Sequence, residues 1–569
     1  MEKKLDRIFK RFKELKSEKQ NWLPHYELIG QFVMLRKQHF TSTGRKGEFL
    51  ANKIYDSTAP RALQIAVSTI MGMLWINGAK TFRLAKPYYI KDTEEIKSYY
   101  EEITRRIAII MDSVEAGFIL ALSEYLTDQL AFGTSGIGVF AIDEYPYVRY
   151  EAWDVKTMFI DEGSDRLVNT IYNLKEMTIR QAVEVYGLLN LSQKTQQSYE
   201  RGKENEKIKI LQVLEPRKVL DPTKKGNLFM PIASYHIEYD TKHLIKESGF
   251  EELPVYVARF YKVLGEVYGR SPTMQCLPDT LELNYIQEQI RNIIGKLADP
   301  PLAVIDDGTL GGGVINKSAG SVTVFDGSGG IPPDKLMYPM FFGADPSQFQ
   351  FIMEQLKNNI LDAFFLDRLL DLNNETRMTL GEAQIRAKIR GESIGSIFLR
   401  QLNEMLTPVI DRTVNLAFDR GHLGKPADDP NLKEYDLVIP EEVLKVMAEG
   451  KHFYDIHYIS PAMRIINAEE TQGIMTTFEF ATNMAQGKPD ILDNLDGDEA
   501  IRRLSELTGG TGKILTAYDD MLKEREARMQ RAEEQRQADL ARNASEIARN
   551  QAQANAQQSK GYLGGNPNG

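Results

Sequence analysis

Residues Gly391-Glu392-Ser393-Ile394-Gly395 match the G-x-S-x-G pattern that carries a nucleophilic serine. That chemistry needs the serine on a tight strand-to-helix turn, beside backbone donors that hold an oxyanion. The flanks, Ile385-Arg386-Ala387 and Phe398-Leu399-Arg400, have helical period instead. Asp436 and His457 follow, but acids and histidines occur in any chain of 569 residues. A serine hydrolase built on Ser393 is therefore the weaker reading. Gly509-Gly510-Thr511-Gly512-Lys513 hints at a phosphate loop, yet Leu507 and Ile514 stand where that loop needs glycine and Ser or Thr. Gly133-Thr134-Ser135-Gly136-Ile137-Gly138 lacks the dinucleotide fingerprint and follows a predicted helix. His452, Asp455 and His457 are metal-ligand types, but period-two alternation would put the two histidines on opposite faces of a strand. Asp306-Asp307 before Gly308 reads as a turn. The expectation is a chain with no catalytic residues, no cofactor and no metal.

Composition narrows the class further. One cysteine, Cys276, excludes an intrachain disulfide and thiolate-rich metal sites. No run of about 18 apolar residues occurs, so no membrane span is expected. The first residues lack the apolar core of a signal peptide. They form an amphipathic helix instead, with Leu5, Ile8, Phe9, Phe12 and Leu15 on one stripe, expected to dock on its own protein. A net charge of −10 argues against simple electrostatic capture of nucleic acid.

The elements that must position any site read as α+β. Residues 1–35 are predicted helical, and Asp56-Ser57-Thr58-Ala59-Pro60 opens a helix. A long helix is predicted from about Thr93 to Leu130, stopped by Gly133. Strands follow at 137–142, 147–150, 157–160 and 167–173, then a short helix capped by Thr178 and Gln181 and ended by Gly187. Residues 191–207 read as a loop, and strands resume at 208–214, 232–239 and 254–263. Later come a helical region from Thr379 to about Arg420, strand-like pieces at 435–439 and 453–459, and helices from Arg464 to Met484 and Asp498 to Leu507. A polar helix from Met521 to Gln558 closes the chain.

The centre of the chain, Ser271 to Arg390, has a different plan. A helix begins after Tyr268-Gly269-Arg270-Ser271-Pro272, should break or kink at Pro278 and restart at Asp279 with Glu282 as capping partner. Leu281, Tyr285, Ile286, Ile290, Ile293, Ile294 and Leu297 then recur at helical spacing up to Asp299-Pro300-Pro301. Ser347 with Gln350 caps a second rod carrying Ile352, Leu356, Ile360, Ala363, Phe364 and Leu370. Between the rods lie Leu302-Ala303-Val304-Ile305, Val314-Ile315-Asn316 and Ser321-Val322-Thr323-Val324-Phe325, separated by glycine turns. Two rods with a small β module at their far end suit a conduit or an assembly better than an enzyme.

Six segments in order, Asp56-Ser57-Thr58, Phe132-Gly133-Thr134, Phe159-Ile160-Asp161-Glu162, Tyr268 to Pro272, Asp299-Pro300-Pro301 and Met378-Thr379-x-x-Glu382, resemble the portal, or head-to-tail connector, proteins of short-tailed, T7-like phages. The resemblance covers about Trp22 to Leu507. It implies the portal fold: a wing over 1–270, stem helices at 271–300 and 347–371, a clip at 301–346 and a channel loop at 372–378. Residues 379–460 would add a long helix and the remaining wing strands, and 461–520 the crown; composition, not the resemblance, makes 521–569 a polar helix and a disordered tail.

It also implies a dodecameric ring at one capsid vertex, in the virion and, during assembly, in the host cytoplasm. The partners it implies are the terminase packaging motor, a tail adaptor protein, the major capsid and scaffolding proteins, and double-stranded DNA passing through the channel. The loop residues are Asn373, Asn374, Glu375, Thr376, Arg377 and Met378, with Thr379 and Glu382 capping the next helix. Arg377 is the first candidate for phosphate contact, followed by Lys388 and Arg390. Twelve chains, twelve times −10, would carry about −120, and that charge would discourage DNA from adhering to the wall. Another ring-forming virion component, such as a tail adaptor, is the nearest alternative.

Overall fold

The computed structural model describes residues 2–35, 37, 39–41, 54–76, 81–218, 225–300, 302–306, 318, 320–326, 337–339, 349–366, 395–428, 430, 437–485, 488–508, 515–516 and 518–562. Its contacts divide the chain into two units that are not consecutive in sequence. One comprises Met1–Thr81, Ile107–Gly421 and Ser460–Gly473, the other Phe82–Arg106, His422–Ile459 and Ile474–Gly569. The class is mixed α+β, mostly helical with several antiparallel sheets.

The chain opens with α1 (Glu2–Gln20), α2 (Leu23–Phe32) and α3 (Thr58–Leu74). The amphipathic stripe of α1 docks as expected. Ile8, Phe12 and Leu15 are buried against Phe159, Tyr172, Val213 and Tyr235, four residues that face one another across neighbouring strands. Lys19, in the last turn of α1, is fully buried and donates to the Lys156 and Met158 carbonyls at 3.1 and 2.6 Å, and to the Val155 carbonyl. On α3 the buried stripe is Ala59, Ala62, Leu63, Ala66, Val67, Ile70 and Leu74, and small side chains permit close helix packing there.

After β1 (Phe82–Ala85), the single helix expected from 93 to 130 is two, α4 (Glu94–Asp112) and α5 (Phe118–Phe132). Gly117 is the reason: its φ of 73° is left-handed backbone, which stops one helix and starts another. Next come β2 (Thr134–Ala141), β3 (Val148–Trp153), β4 (Met158–Glu162) and β5 (Val168–Thr178). Helix α6 (Ile179–Tyr186) has both halves of the predicted capping box, Thr178 and Gln181, and ends at Gly187. The stretch read as a loop contains α7 (Gln193–Glu200), capped by Ser192. Its buried anchor is Glu238, which accepts from Ser192 Oγ at 2.9 Å and Thr195 Oγ1 at 2.7 Å, so tertiary bonds stabilise a polar helix that lacks an apolar stripe.

Strands β6 (Lys207–Pro216), β7 (Ile232–Glu238), β8 (His243–Phe250) and β9 (Val255–Arg259) complete two antiparallel sheets. One is the meander β4-β5-β6-β7-β8, the other β3-β2-β9. The sequence reading missed β8, whose polar, glycine-containing HLIKESGF has little strand signature. The meander's second face, with Ile160, Ile171 and Leu214, packs on Trp153, Val255 and Val257 of the three-stranded sheet.

Helix α8 (Pro272–Ala298) runs through Pro278 rather than restarting at Asp279. In the second turn, the missing N–H forfeits one bond, to the Met274 carbonyl, while the proline ring is exposed and the opposite face, with Thr273, Cys276, Leu277 and Thr280, is buried. Three short strands follow, β10 (Leu302–Asp306), β11 (Val322–Asp326) and β12 (Met337–Pro339), then α9 (Gln350–Ala363). Phe349 rather than Ser347 occupies the cap of α9, with no side-chain bond; Ser347 lies outside the described residues. Residues 395–401 are helical and continue through a π-helical turn, Leu402–Leu406, into α10 (Thr407–Asp419).

The rest comprises α11 (Glu441–Ala448), β13 (Asp455–Tyr458), α12 (Pro461–Ile466), α13 (Ala468–Ala485), α14 (Gly497–Thr508) and α15 (Tyr518–Tyr562). In the second unit β13 pairs antiparallel with β1.

Candidate functional site

The root of α8 gathers four of the six segments singled out in the sequence. Ser271 Oγ accepts from Met274 N at 3.0 Å and donates to the Ala131 carbonyl at 2.8 Å, so one side chain both caps α8 and ties it to the end of α5. Thr273 Oγ1 donates to the Leu130 carbonyl at 2.8 Å. Phe132-Gly133-Thr134 and Tyr268-Gly269 meet directly: Gly269 N donates to Thr134 Oγ1 at 2.8 Å. A Cβ on Gly133, where φ is 82°, would lie 2.3 Å from the Gly269 carbonyl oxygen, so only glycine lets the two backbones approach this closely.

The other two segments reach the same place. Tyr268 Oη accepts from Ile160 N at 3.3 Å, and burial pushes its phenol pKa well above the ordinary value. Asn284 Oδ1 accepts from Tyr55 N at 2.7 Å, at the entry to Asp56-Ser57-Thr58. Burial also pushes the Cys276 thiol up to about 12, which makes it an inert core residue rather than a nucleophile.

Beside this root lies an ion cluster that sequence reasoning missed. Arg259 is 1% exposed and pairs with Glu162 at 2.6 Å and with Glu404, in the π-helical turn, at 3.3 Å. Lys262 also reaches Glu162, at 2.7 Å. Glu162 belongs to the Phe-Ile-Asp-Glu segment, and its neighbour Asp161 pairs with Arg11 of α1. The one available signal was the pair of adjacent acids in that segment; the cationic partners of Glu162, Arg259 and Lys262, are 97 and 100 residues away in sequence.

Past Asn284 the character of α8 changes. The helix has no buried side chain from Tyr285 to Ala298, and Tyr285, Ile294 and Leu297 are 60%, 53% and 48% exposed. Helix α9 packs along it, with Gln287 Nε2 donating to Met353 Sδ at 3.4 Å. Leu356 and Ile360 are buried, whereas Phe351 and Ile352 are 77% and 42% exposed. Charge here is nearly balanced: Glu288 against Arg291 and Lys296 on α8, Glu354 and Asp362 against Lys357 on α9. The outer end carries the small sheet, in which β10 pairs parallel with β11 and antiparallel with β12. Gly320 N donates to the Asp299 carbonyl at 2.9 Å and Leu302 N to the Ser321 carbonyl at 2.8 Å, which fixes β11 against the helix end.

Asn373, Asn374, Glu375, Thr376, Arg377, Met378, Thr379, Glu382, Lys388, Arg390 and Ser393 all lie outside the described residues, as do Asp436, residues 314–316 and residues 509–514. His457 sits on β13 opposite Arg83, and His452 precedes that strand. Among the described residues no group of three His, Cys, Asp or Glu side chains could hold a metal ion, and no helix is long and apolar enough to cross a membrane.

The model of the family described as bacteriophage head to tail connecting protein matches residues 5–515. The chain belongs to this family. Its function is that of the head-tail connector, the portal protein of a phage capsid, a structural part of the virion and not an enzyme. Two relatives support the assignment over nearly the whole length. The portal protein of Salmonella phage epsilon15 is 26% identical over 539 residues, covering 93% of this chain and 92% of that protein. A probable portal protein of Bordetella phage BPP-1 is 23% identical over 546 residues, covering 94% of this chain and 92% of the relative. Membership of a connector family implies an oligomeric ring and partners in phage assembly. It also gives the outer half of α8 a reason to expose apolar side chains.

Proposed function

We propose that copies of this chain form a ring, a dodecamer in the T7-like plan, at one vertex of a short-tailed phage head. Double-stranded DNA passes through its centre during packaging and ejection. The observation that carries this reading is the outer half of α8 with α9: paired helices, apolar and exposed in one chain, bearing a small sheet at their far end. At about 1.5 Å per residue, the 27 residues of α8 span about 40 Å, enough for a channel wall.

In this reading α8 and α9 are the stem, residues 301–346 the clip and residues 372–378 the channel loop. The three short strands of the clip gain stability by lying against those of neighbours, which also removes exposed edges. The two antiparallel sheets with α1 serve as the wing, and the helices after Ser460 as the crown. The terminase motor and later a tail adaptor dock at the clip, and the ring is built into the shell with the major capsid and scaffolding proteins. Arg377 contacts phosphate, with Lys388 and Arg390 in support.

The test is the Arg377→Ala phage. Ring assembly is expected to be intact and DNA packaging or retention impaired, read as packaged genomes per particle. Normal yield would remove the loop's role.

A further inference from the structure

The two stacked sheets carry helices of opposite charge on their outer faces. Helix α1 covers the five-stranded meander through Ile8, Phe12 and Leu15. Helix α5 covers the three-stranded sheet, where Phe118 meets Tyr150 edge to face at 5.1 Å between ring centroids. Tyr150 points outward because Trp153, three residues on along β3, points in towards the meander. Both helices and the sheets between them belong to one compact unit.

The solvent side of α1 is basic. Lys10 follows Lys3 by seven residues, which returns it to within about 20° of the same line, and Lys13 lies about 60° further round. All three lysines are exposed, and none pairs with an acid among the described residues. Arg7 and Arg11 of the same helix are already committed, to Glu215 and Asp161. Asp6 is the one acid inside the lysine sector.

Beside the start of α5 lies an open groove of about 550 Å³. Its floor is made of small residues, Ala116, Gly117, Ala121 and Ala152, and Leu120 stands over it, 69% exposed. The rim is acidic: Glu115, Glu124 and Glu151. Arg149 pairs with Glu151 at 3.5 Å, while Glu115 and Glu124 have no cation among the described residues. An exposed leucine between unpaired carboxylates suits a long side chain with an apolar stem and a cationic end, and lysine is that side chain.

The chain carries such lysines on α1, with both sheets between them and the groove, so the two patches of one copy cannot meet. Between copies they join head to tail, and a heterologous contact of that kind generates a ring when its rotation closes. Each copy then turns a different surface to each of its two neighbours.

We propose that in the assembled ring the basic face of α1 of each copy lies on the α5 groove of the next, with the stems of Lys10 and Lys13 over Leu120 and their ammonium groups against the acids of the rim. This inference rests on the ring reading and names a pair of surfaces through which neighbouring copies recognise each other.

The test is charge reversal in the full chain, with rings counted by electron microscopy and sedimentation. Lys10→Glu with Lys13→Glu is expected to raise the concentration at which half of the chains are in rings by about tenfold or more. Adding Glu115→Lys and Glu124→Lys to the same chain is expected to restore assembly. Lys194→Glu with Arg201→Glu, two exposed sites by α7, makes the same change of net charge and is expected to leave rings as they are. All of these side chains are exposed except Lys13's helix partners in the core, and thermal unfolding of each variant checks that the fold is kept. Folded variants in which reversal on α1 leaves assembly unchanged, or acts no more strongly than reversal by α7, would overturn this inference and leave the ring reading standing. A wild-type chain that forms no rings would overturn both.

Discussion

From Pro272 to Asn284, α8 buries seven side chains and is bound to α5 and to the entry of α3 by hydroxyl and amide groups. From Tyr285 to Ala298 the same helix buries none. The apolar period continues unbroken across the change, so amphipathicity does not distinguish the halves. What differs is the partner. The root closes on its own chain through glycines, hydroxyls and a buried ion cluster, and is finished in one copy. The outer half presents isoleucine, leucine and tyrosine to open space, as a subunit interface does before its neighbours arrive.

The sharpest way to break this contrast is at the root. Gly133→Ala needs left-handed backbone and drives a methyl into the Gly269 carbonyl; a loss of about 4 kcal/mol or more is expected by denaturant unfolding. Glu404→Ala strands Arg259 with one fewer carboxylate in a buried site and is expected to cost about 3 kcal/mol. The well-filled part should also respond to acid. Burial, with Lys246 and Lys175 nearby, pushes His236 down to about 4. The unfolded chain takes up a proton below about pH 6.5 that the folded chain refuses until about pH 4, so stability falls as pH drops through that window, by up to about 3 kcal/mol. His236→Gln should flatten that slope. At the other extreme, Ile294→Asp on the outer half should change single-chain stability by less than about 0.5 kcal/mol yet shift rings towards monomers in sedimentation.

Much of this architecture was legible in the sequence because its signals are local. The Thr178–Gln181 capping box, the Gly133 helix stop and the stripe of α1 depend on neighbours within a turn or two. The failures were cases where distant residues decide. α7 is held by Glu238 from another strand, α8 survives Pro278 because its root is buried, and β8 has its place through pairing with β7 rather than through its own residues. The site was legible as segments rather than as a cluster. Nothing local says that Phe132-Gly133-Thr134 and Tyr268 to Pro272 meet backbone to backbone, or that Arg259 joins Glu162 to Glu404. The proposed loop residues, Arg377 above all, rest on the resemblance alone, since they lie outside the described residues.

The central claim is that the outer halves of α8 and α9 surround a common axis. Electron cryomicroscopy of the purified full chain, at a resolution that shows helices, tests it directly. A closed ring with Tyr285, Ile294 and Leu297 covered by neighbouring copies, and these helices around the central hole, is the predicted result. Monomers at every concentration and salt, or rings with these helices on the outer rim, would contradict it.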